Sequence, residues 1–216
     1  LRRLRTDHID LYFQHRIDAN TPPEEVAETM AALMGEGKIL HWGISEANAE
    51  YLRRANAVCL VTAVENRYSM MARQYEGLFP VLEELGVGLV AFSPMANGFL
   101  SGQYGKNETF DKKYDYRSAM PQFTPEAVGK NQQLLALLHE TAQRKNATPA
   151  QISLAWMLCK KPYIVPIPGT RKLSRLSENV GAAEILLSAE EVAAIDKALE
   201  GMEMSQVFGG SRIVNQ

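Results

Sequence analysis

The sequence predicts an α/β fold built from parallel strand–helix units. Apolar, strand-like runs alternate with amphipathic helical patterns five times, in units of roughly 30 to 40 residues. Residues 87–92 are almost continuously apolar, as expected for a strand buried on both faces. Polar residues follow the predicted strands, at His15, Ser45, Glu65, Ser93 and residues 169–175. Ligand sites form at this end of the strands, both in (β/α)₈ barrels and in open α/β sheets.

The individual elements are predicted from local signals. Strands are predicted at residues 9–13, 39–44, 60–64, 87–92 and 164–168, and residues 1–5 are predicted as the end of a helix. Helices are predicted at residues 22–34, 51–55, 74–85, 125–144 and 148–160, after residue 171, and at 189–201. Thr21 is predicted to cap the first of these helices, with Pro22 at its first position and Glu24 closing a capping box. Thr148 and Ser188 begin similar patterns.

Composition excludes several classes of protein. The chain has 216 residues, 46% hydrophobic and 22% charged, with a net charge of −2, which is typical of globular proteins. No basic stripe with interleaved aromatic residues suggests a nucleic-acid surface, and no apolar run approaches the ~18 residues of a membrane helix. Cys59 and Cys159 lie in apolar surroundings, so we expect buried thiols, a reducing compartment and a cytoplasmic location. No signal peptide heads the chain and no spacing of His, Cys and Asp suggests a metal.

Residues 164–179, IVPIPGTRKLSRLSEN, combine a strand, a glycine turn and a basic helix start. The N–H groups and the dipole of such a helix end favour an anion, and the nearby cations Arg171, Lys172 and Arg175 would suit a phosphate. Leu173, Leu176 and Val180 repeat at helical spacing and are predicted to face a core. An ordinary strand-to-helix turn with a solvated basic face explains the same pattern equally well.

Domain boundaries are weakly marked. Residues 1–201 are predicted to hold five strand–helix units, with a long polar loop at about 93–124 that is either a lid over substrate or a plain solvated loop. Residues 202–216, with Gly209 and Gly210, are expected to form a mobile tail. A dinucleotide-binding open sheet is the rival fold, but no G-x-G-x-x-G follows the first strand and no P-loop occurs.

Taken together, these residues resemble the aldo-keto reductase family. The resemblance runs from Asp7 to about Leu199 and rests on six segments in family order: TDHIDLYFQHR, EGKILHWGIS, AVENRYS, GVGLVAFSPMANGFLSG, YDYRSAMPQF and VPIPGTRKLSRLSEN. It is closest to bacterial-type members with QHR after the fourth barrel strand. The resemblance implies a (β/α)₈ TIM barrel of which this chain holds only strands four to eight with their helices, and NADP(H) as cofactor.

The resemblance also implies roles for particular residues. His15 matches the histidine that hydrogen-bonds the substrate carbonyl, Ser45 a group that holds the nicotinamide carboxamide, and Phe92 the aromatic that stacks on the nicotinamide ring. The remaining matches concern the other parts of the cofactor. They are Ser93 and Leu100 for the pyrophosphate, Gly169, Thr170, Arg171 and Arg175 for the 2′-phosphate, and Glu178 with Asn179 for the adenine.

The chain departs from the family pattern in three respects. Glu65 stands where a glutamine usually holds the carboxamide, and a carboxylate accepts from the amide NH₂ but cannot donate to its oxygen. Arg67 stands where an acidic residue is usual, which leaves room for a compensating Glu65–Arg67 arrangement. The aspartate, tyrosine and lysine that the family takes from its first three strands have no match here, so a truncated form is expected.

Two functions follow from the resemblance as hypotheses. The first is an NADP(H)-dependent oxidoreductase acting on a small carbonyl or alcohol substrate whose identity the sequence does not reveal. The alternative is a non-catalytic interaction or regulatory protein of the same family. An incomplete barrel exposes its sheet edges, and a homo-oligomer or an exchanged partner segment would cover them.

Overall fold

The computed structural model describes residues 1–207 and shows an α/β fold. Its five strands are β1 (Ile9–Gln14), β2 (Ile39–Ser45), β3 (Ala63–Arg67), β4 (Gly88–Phe92) and β5 (Ile164–Pro166). Its helices are α1 (Pro23–Gly35), α2 (Ala49–Val58), α3 (Phe79–Leu85), α4 (Pro125–Lys130), α5 (Gln132–Lys145), α6 (Pro149–Lys160), α7 (Leu173–Gly181) and α8 (Ala189–Glu200). The α/β class is therefore confirmed, whereas the assignment of these strands to barrel strands four to eight stays a prediction.

The chain divides into two compact units that are interleaved in sequence. The first consists of Leu1–Asn66 and Gln74–Ala91, and the second of Arg67–Arg73 and the chain from Phe92 onward. The single domain predicted for residues 1–201 did not include this division.

The first unit contains a parallel sheet in the order β1-β2-β3-β4. Gln14 pairs with Ile44 and Ile44 with Val64, and the next register places Ser45 beside Glu65. Trp42, Ile44 and Val64 are completely buried, as are apolar residues of α1 and α2. Burying such side chains supplies about 2 kcal/mol each and fixes the register, because a slip by one residue would turn them toward solvent.

The close packing of the sheet depends on one glycine, and we expect Gly43→Ala to destabilise the chain by about 2 kcal/mol. A Cβ atom at Gly43 would lie 2.4 Å from Phe13 Cε1 and 2.7 Å from the backbone oxygen of Ala63. The matched control is Gly35→Ala at the end of α1, where a Cβ atom meets nothing within 4 Å. Since alanine favours a helix, the control should be neutral or slightly stabilising in urea unfolding. Equal free energies of unfolding for the two variants would contradict the close approach.

Three predictions for the first unit are wrong in detail. Thr21 does not cap α1: Pro22 is the N-cap residue without a side-chain bond, and the Thr21 hydroxyl donates to Asp18 Oδ2 at 3.4 Å. The third strand begins later than predicted, because the N–H of Val61 donates to Asn56 Oδ1 at 2.8 Å instead of joining a strand. Residues 1–5 form turns rather than a helix end, and Arg5 has a φ of 55°.

The second unit is centred on α6, most of whose residues are buried. Trp156 is completely buried and stacks on Tyr68 with ring centroids 5.5 Å apart, and its indole N–H donates to Asp196 Oδ1 at 2.9 Å. The expected capping boxes are present at Thr148 and Ser188. The helix predicted at 125–144 is two helices, because Asn131 lies between them with non-helical angles.

Two further expectations, one for the apolar face of α7 and one for the two cysteines, are wrong. Leu173, Leu176 and Val180 do not face a core: they are 79%, 49% and 65% exposed, and together form an apolar stripe on α7. At the start of the expected tail, Glu203 pairs with Lys130 and Ser205 exchanges two hydrogen bonds with Asn131, while the mobility of residues 202–216 stays a prediction. Gly209 and Gly210 lie outside the described residues. Cys59 and Cys159 are free thiols of intermediate burial, not buried ones.

Candidate active site and cofactor-binding cavity

Ser45, the last residue of β2, lies in register beside Glu65 of β3 in the first unit. Residues in register on parallel strands project to the same face, so the two side chains share one face of the sheet. Ser45 is 2% exposed and its hydroxyl donates to the backbone oxygen of Glu65 at 3.2 Å. Glu65 is half-buried, and its carboxylate has no hydrogen-bond or ion-pair partner within residues 1–207.

Arg16 connects Ser45 to the neighbouring residues His15 and Glu46. Its Nη1 donates to the backbone oxygen of His15 at 2.7 Å and to Ser45 Oγ at 3.1 Å, and its Nε lies 3.6 Å from Glu46 Oε2. Glu46 has a φ of 59°, in the left-handed region, and its N–H donates to the backbone oxygen of Glu65. Since Ser45 already donates one hydrogen bond and accepts another, its hydroxyl can accept one more from a ligand.

His15 directly follows β1 and is exposed, and its imidazole has no partner among the described residues. An uncommitted imidazole beside a strand end can donate to, or accept from, a bound small molecule. The Glu65–Arg67 ion pair that the sequence allowed is absent from the described part of the chain. Arg67 Nη1 donates instead to the backbone oxygen of Val207 at 3.4 Å.

The second unit contains a cavity of about 490 Å³. Several residues predicted to bind the cofactor line it: Ser93, Gly169, Thr170, Arg171, Arg175, Glu178 and Asn179. Lys172 lines it as well. Residues from the loop after β4 complete the wall without having been predicted: Asn97, Gly98, Ser101, Gln103, Tyr104, Tyr116 and Arg117. The cavity is large enough for part of a dinucleotide.

The cations of this cavity differ in whether their side chains already form hydrogen bonds or ion pairs with other residues. Arg175 Nη1 pairs with Glu178 Oε2 at 2.5 Å, and its Nη2 donates to Gln103. Arg171 and Lys172 are exposed, and neither side chain forms a bond within residues 1–207. They immediately precede α7, whose N-terminal N–H groups add positive potential. The cavity can therefore take up an anion without breaking an ion pair of Arg171 or Lys172.

The turn after β4 has an unusual backbone. Ser93, Ala96 and Asn97 all have φ values between 46° and 60°, a region that side chains other than glycine rarely occupy. Gln122, which is completely buried, holds the turn: its Nε2 donates to the backbone oxygen of Ala96 and to Asn97 Oδ1, both at 3.2 Å. Strain of this kind persists only where the surroundings maintain it, and it is common at ligand-binding segments.

Arg117 organises the rest of the loop. Its Nε donates to Asp115 Oδ1 at 2.9 Å, its Nη2 to Asp115 Oδ2 at 2.5 Å and its Nη1 to Tyr104 Oη at 2.6 Å. These hydrogen bonds lower the pKa of the Asp115 carboxyl and, in the same way, raise the pKa of Arg117. Both groups therefore stay charged near neutral pH. The Asp115 contribution to loop stability is complete above its ordinary pKa and is lost only as the pH falls through its lowered value.

Two predicted cofactor residues lie elsewhere. Phe92 ends β4 and is half-buried but does not line the cavity, and Leu100 is completely buried and offers no side-chain surface to a ligand. The loop residues that do line the cavity were missed because no local pattern distinguishes a lining tyrosine from a solvated one. The pair Asp115–Arg117, two residues apart, was the one available signal.

The described residues contain neither a membrane-spanning helix nor a cluster of metal-ligating side chains. None of the helices between residues 1 and 207 has the length and apolar character needed to cross a membrane. Within the same residues, no group of three or more His, Cys, Asp or Glu side chains could hold a metal ion.

Solved structures similar to this chain include an aldo-keto reductase and a dehydrogenase. A thermostable aldo-keto reductase in complex with the inhibitor epalrestat is 30% identical with a TM-score of 0.71, over 92% of this chain and 62% of its own. The glycerol dehydrogenase of Gluconobacter oxydans is 25% identical with a TM-score of 0.86, over 96% of this chain and 63% of its own.

Two curated relatives are also aldo-keto reductases. Aldo-keto reductase str7 of Strobilurus tenacellus is 42% identical over 94% of this chain, and the probable aldo-keto reductase 1 of Glycine max is 37% identical over 97% of it. The chain spans 62% and 60% of the lengths of these two relatives. The sequence model of the Aldo/keto reductase family matches residues 1–200. The chain belongs to the aldo-keto reductase family.

Proposed function

We propose that this chain takes part in NADP(H)-dependent hydride transfer between the nicotinamide and a small carbonyl or alcohol substrate. The observation that carries the proposal is the cavity of the second unit, with the uncommitted cations Arg171 and Lys172 before the N-terminus of α7. This donor set fits a phosphate, and a second cation favours the additional phosphate that distinguishes NADP from NAD. Gly169, Thr170, Arg175, Glu178 and Asn179 complete the proposed adenosine-phosphate site, and Ser93 the pyrophosphate site.

The group formed by Ser45 of β2 and Glu65 of β3 fits the carboxamide of a nicotinamide in part. The Ser45 hydroxyl can accept one more hydrogen bond and the Glu65 carboxylate several, so both suit the amide NH₂. Neither donates to the amide oxygen, so this group would recognise the carboxamide through its NH₂ alone. We propose that Phe92 stacks on the nicotinamide ring. The side chain of Leu100 is completely buried and is not proposed to contact the cofactor.

When bound, the cofactor supplies or takes up the hydride. His15, exposed and uncommitted, would hydrogen-bond the substrate carbonyl and orient it. The proton donor in this proposal is the tyrosine of the family pattern, assisted by its lysine and aspartate. Because these 216 residues contain no match to those three, we propose that carbonyl reduction requires a further segment that supplies them, with β1–β5 acting as barrel strands four to eight.

A fluorescence titration of the 216-residue chain with NADPH, and with NADH as control, tests the proposal. We expect saturable binding with NADPH preferred by about tenfold or more, because NADH lacks the phosphate that Arg171 and Lys172 would bind. Absence of binding by a folded chain, or equal affinity for the two cofactors, would contradict it. Carbonyl-dependent oxidation of NADPH by this chain alone would show that no additional proton donor is needed, and would also reject a non-catalytic role.

The proposed homo-oligomer has one favourable observation. The exposed apolar stripe of α7, formed by Leu173, Leu176 and Val180, is a surface that association would bury. A small-molecule substrate, the lack of nucleic-acid and membrane partners and a cytoplasmic location remain part of the same proposal.

A further inference from the structure

Tyr104 lines the cavity of the second unit, and its hydroxyl is oriented by Arg117. Arg117 Nη1 donates to Tyr104 Oη at 2.6 Å, and a guanidinium has no lone pair with which to accept in return. The hydroxyl oxygen is therefore the acceptor, and its own proton must point away from Arg117. A hydroxyl that accepts a bond from a cation is polarised and becomes a better donor.

The position of this hydroxyl is set by several contacts. The Arg117 guanidinium is fixed by Asp115 and lies over the rings of Phe110 and Tyr104, at 4.6 Å and 5.2 Å from their centroids. The Tyr104 ring packs edge-on against Phe123 with centroids 5.3 Å apart. Neither the ring nor its hydroxyl can turn freely, so the direction of the remaining proton is fixed before any ligand binds.

That proton has no acceptor among residues 1–207. Gly98, another residue of the cavity wall, lies close to this hydroxyl, because a Cβ atom at Gly98 would come within 3.7 Å of Tyr104 Oη. The same cavity is lined by Arg171 and Lys172, both uncommitted cations. A polarised donor in a cavity with uncommitted cations is best matched by an anionic oxygen, rather than by a neutral sugar hydroxyl or a base.

We infer that Tyr104 is a phosphate-binding residue, donating its hydroxyl proton to a phosphate oxygen of a dinucleotide in the cavity, and that Asp115 and Arg117 are its positioning residues. This inference rests on the proposed function for the identity of the ligand. It adds to the cationic wall of Arg171 and Lys172 a neutral donor from the loop after β4. The loop therefore contributes a directional hydrogen bond to anion binding in addition to closing one side of the cavity.

The variant Tyr104→Phe removes the hydroxyl and keeps the ring that packs against Phe123. We expect NADPH affinity, measured by fluorescence titration of the 216-residue chain, to fall about tenfold, as for other hydrogen bonds to charged groups. The matched control is Tyr114→Phe, on the same loop but 78% exposed and not part of the cavity wall, and it should change the affinity by less than about twofold. Unchanged affinity in Tyr104→Phe, or an equal loss in both variants, would overturn the inference.

The variant Arg117→Lys tests whether Arg117 orients the Tyr104 hydroxyl or only stabilises the loop. Lysine keeps the charge but cannot bond Asp115 and Tyr104 with one planar group. If Arg117 orients Tyr104, this substitution should weaken NADPH binding in the wild-type background but cause little further loss in Tyr104→Phe. A purely structural role predicts equal losses in both backgrounds, and that outcome would reject the positioning of Tyr104 by Arg117.

The choice of probe identifies the phosphate and separates this inference from the proposed function. A loss confined to NADPH assigns the bond to the 2′-phosphate, whereas equal losses for NADPH and NADH assign it to the pyrophosphate. Inorganic pyrophosphate, titrated calorimetrically, is the third probe. If wild-type chain binds pyrophosphate but not NADPH, and Tyr104→Phe weakens pyrophosphate binding, the inference holds while the proposed cofactor is wrong. Pyrophosphate and NADPH binding that are both indifferent to Tyr104→Phe would leave the proposed function standing and reject the inference.

Discussion

Replacing Arg171 and Lys172 together by alanine should lower the affinity of the chain for NADPH by about a hundredfold. Both side chains line the cavity, and neither is committed to another residue within the described chain, so their full charge is available to a ligand. Arg175 differs, because Glu178 and Gln103 already occupy its guanidinium. The loss should be much smaller for NADH, since the charge that the two cations are proposed to bind is the additional phosphate of NADPH.

The matched control removes two charges elsewhere. Arg2 and Arg3 are exposed and belong to the first unit, so Arg2→Ala with Arg3→Ala changes net charge equally without altering the cavity. Titrations at two salt concentrations should show a weaker salt dependence for NADPH in the Arg171/Lys172 variant than in the control, because fewer charges are screened. Equal losses for NADPH and NADH would mean that these residues do not distinguish the two cofactors.

The largest effect on stability is expected from Trp156→Ala, at about 3–5 kcal/mol. The side chain is completely buried, stacks on Tyr68 and donates to Asp196, so its removal leaves a cavity and withdraws a bond from a carboxylate. Lys160 Nζ, 2.9 Å from Asp196 Oδ1, still neutralises that carboxylate, which limits the loss. Urea unfolding followed by circular dichroism measures the difference in the free energy of unfolding.

The two tryptophans of the chain allow the hydrogen bond to be measured separately from the packing. Trp42 is equally buried, but its indole N–H has no partner within the described residues. Trp156→Phe should therefore cost about 1–2 kcal/mol more than Trp42→Phe, since only the first substitution breaks a bond to a charged group. Equal costs would show that the contact with Asp196 adds nothing beyond the burial of the ring.

Local signals in the sequence predicted the helices and strands of this fold well, but not which elements pack against them. The capping boxes at Thr148 and Ser188 are complete within four residues, so the sequence contains all that is needed to predict them. The spacing of Leu173, Leu176 and Val180 correctly predicts one apolar face of a helix. Whether another element covers that face depends on residues far away in the chain, and periodicity contains no information about them.

The candidate site shows the same limit. Residues 169–179 were found because a glycine turn, several cations and a helix start are adjacent in sequence. Tyr104 and Arg117 were missed because their meaning depends on a contact across 13 residues of a loop without regular pattern. Leu100 was assigned by the family resemblance alone, and its complete burial shows that a matching position does not guarantee an accessible side chain.

The interleaving of the two units has a consequence for how the chain is made. Residue 91 must leave the ribosome before the first unit can be complete, and by then residues 67–73 of the second unit have already been synthesised. That short segment must wait for the chain beyond residue 92 before it gains its native neighbours. No single backbone cut can release either unit intact. Expressing the first unit alone would require joining residue 66 to residue 74, and expressing the second alone would require deleting residues 74–91.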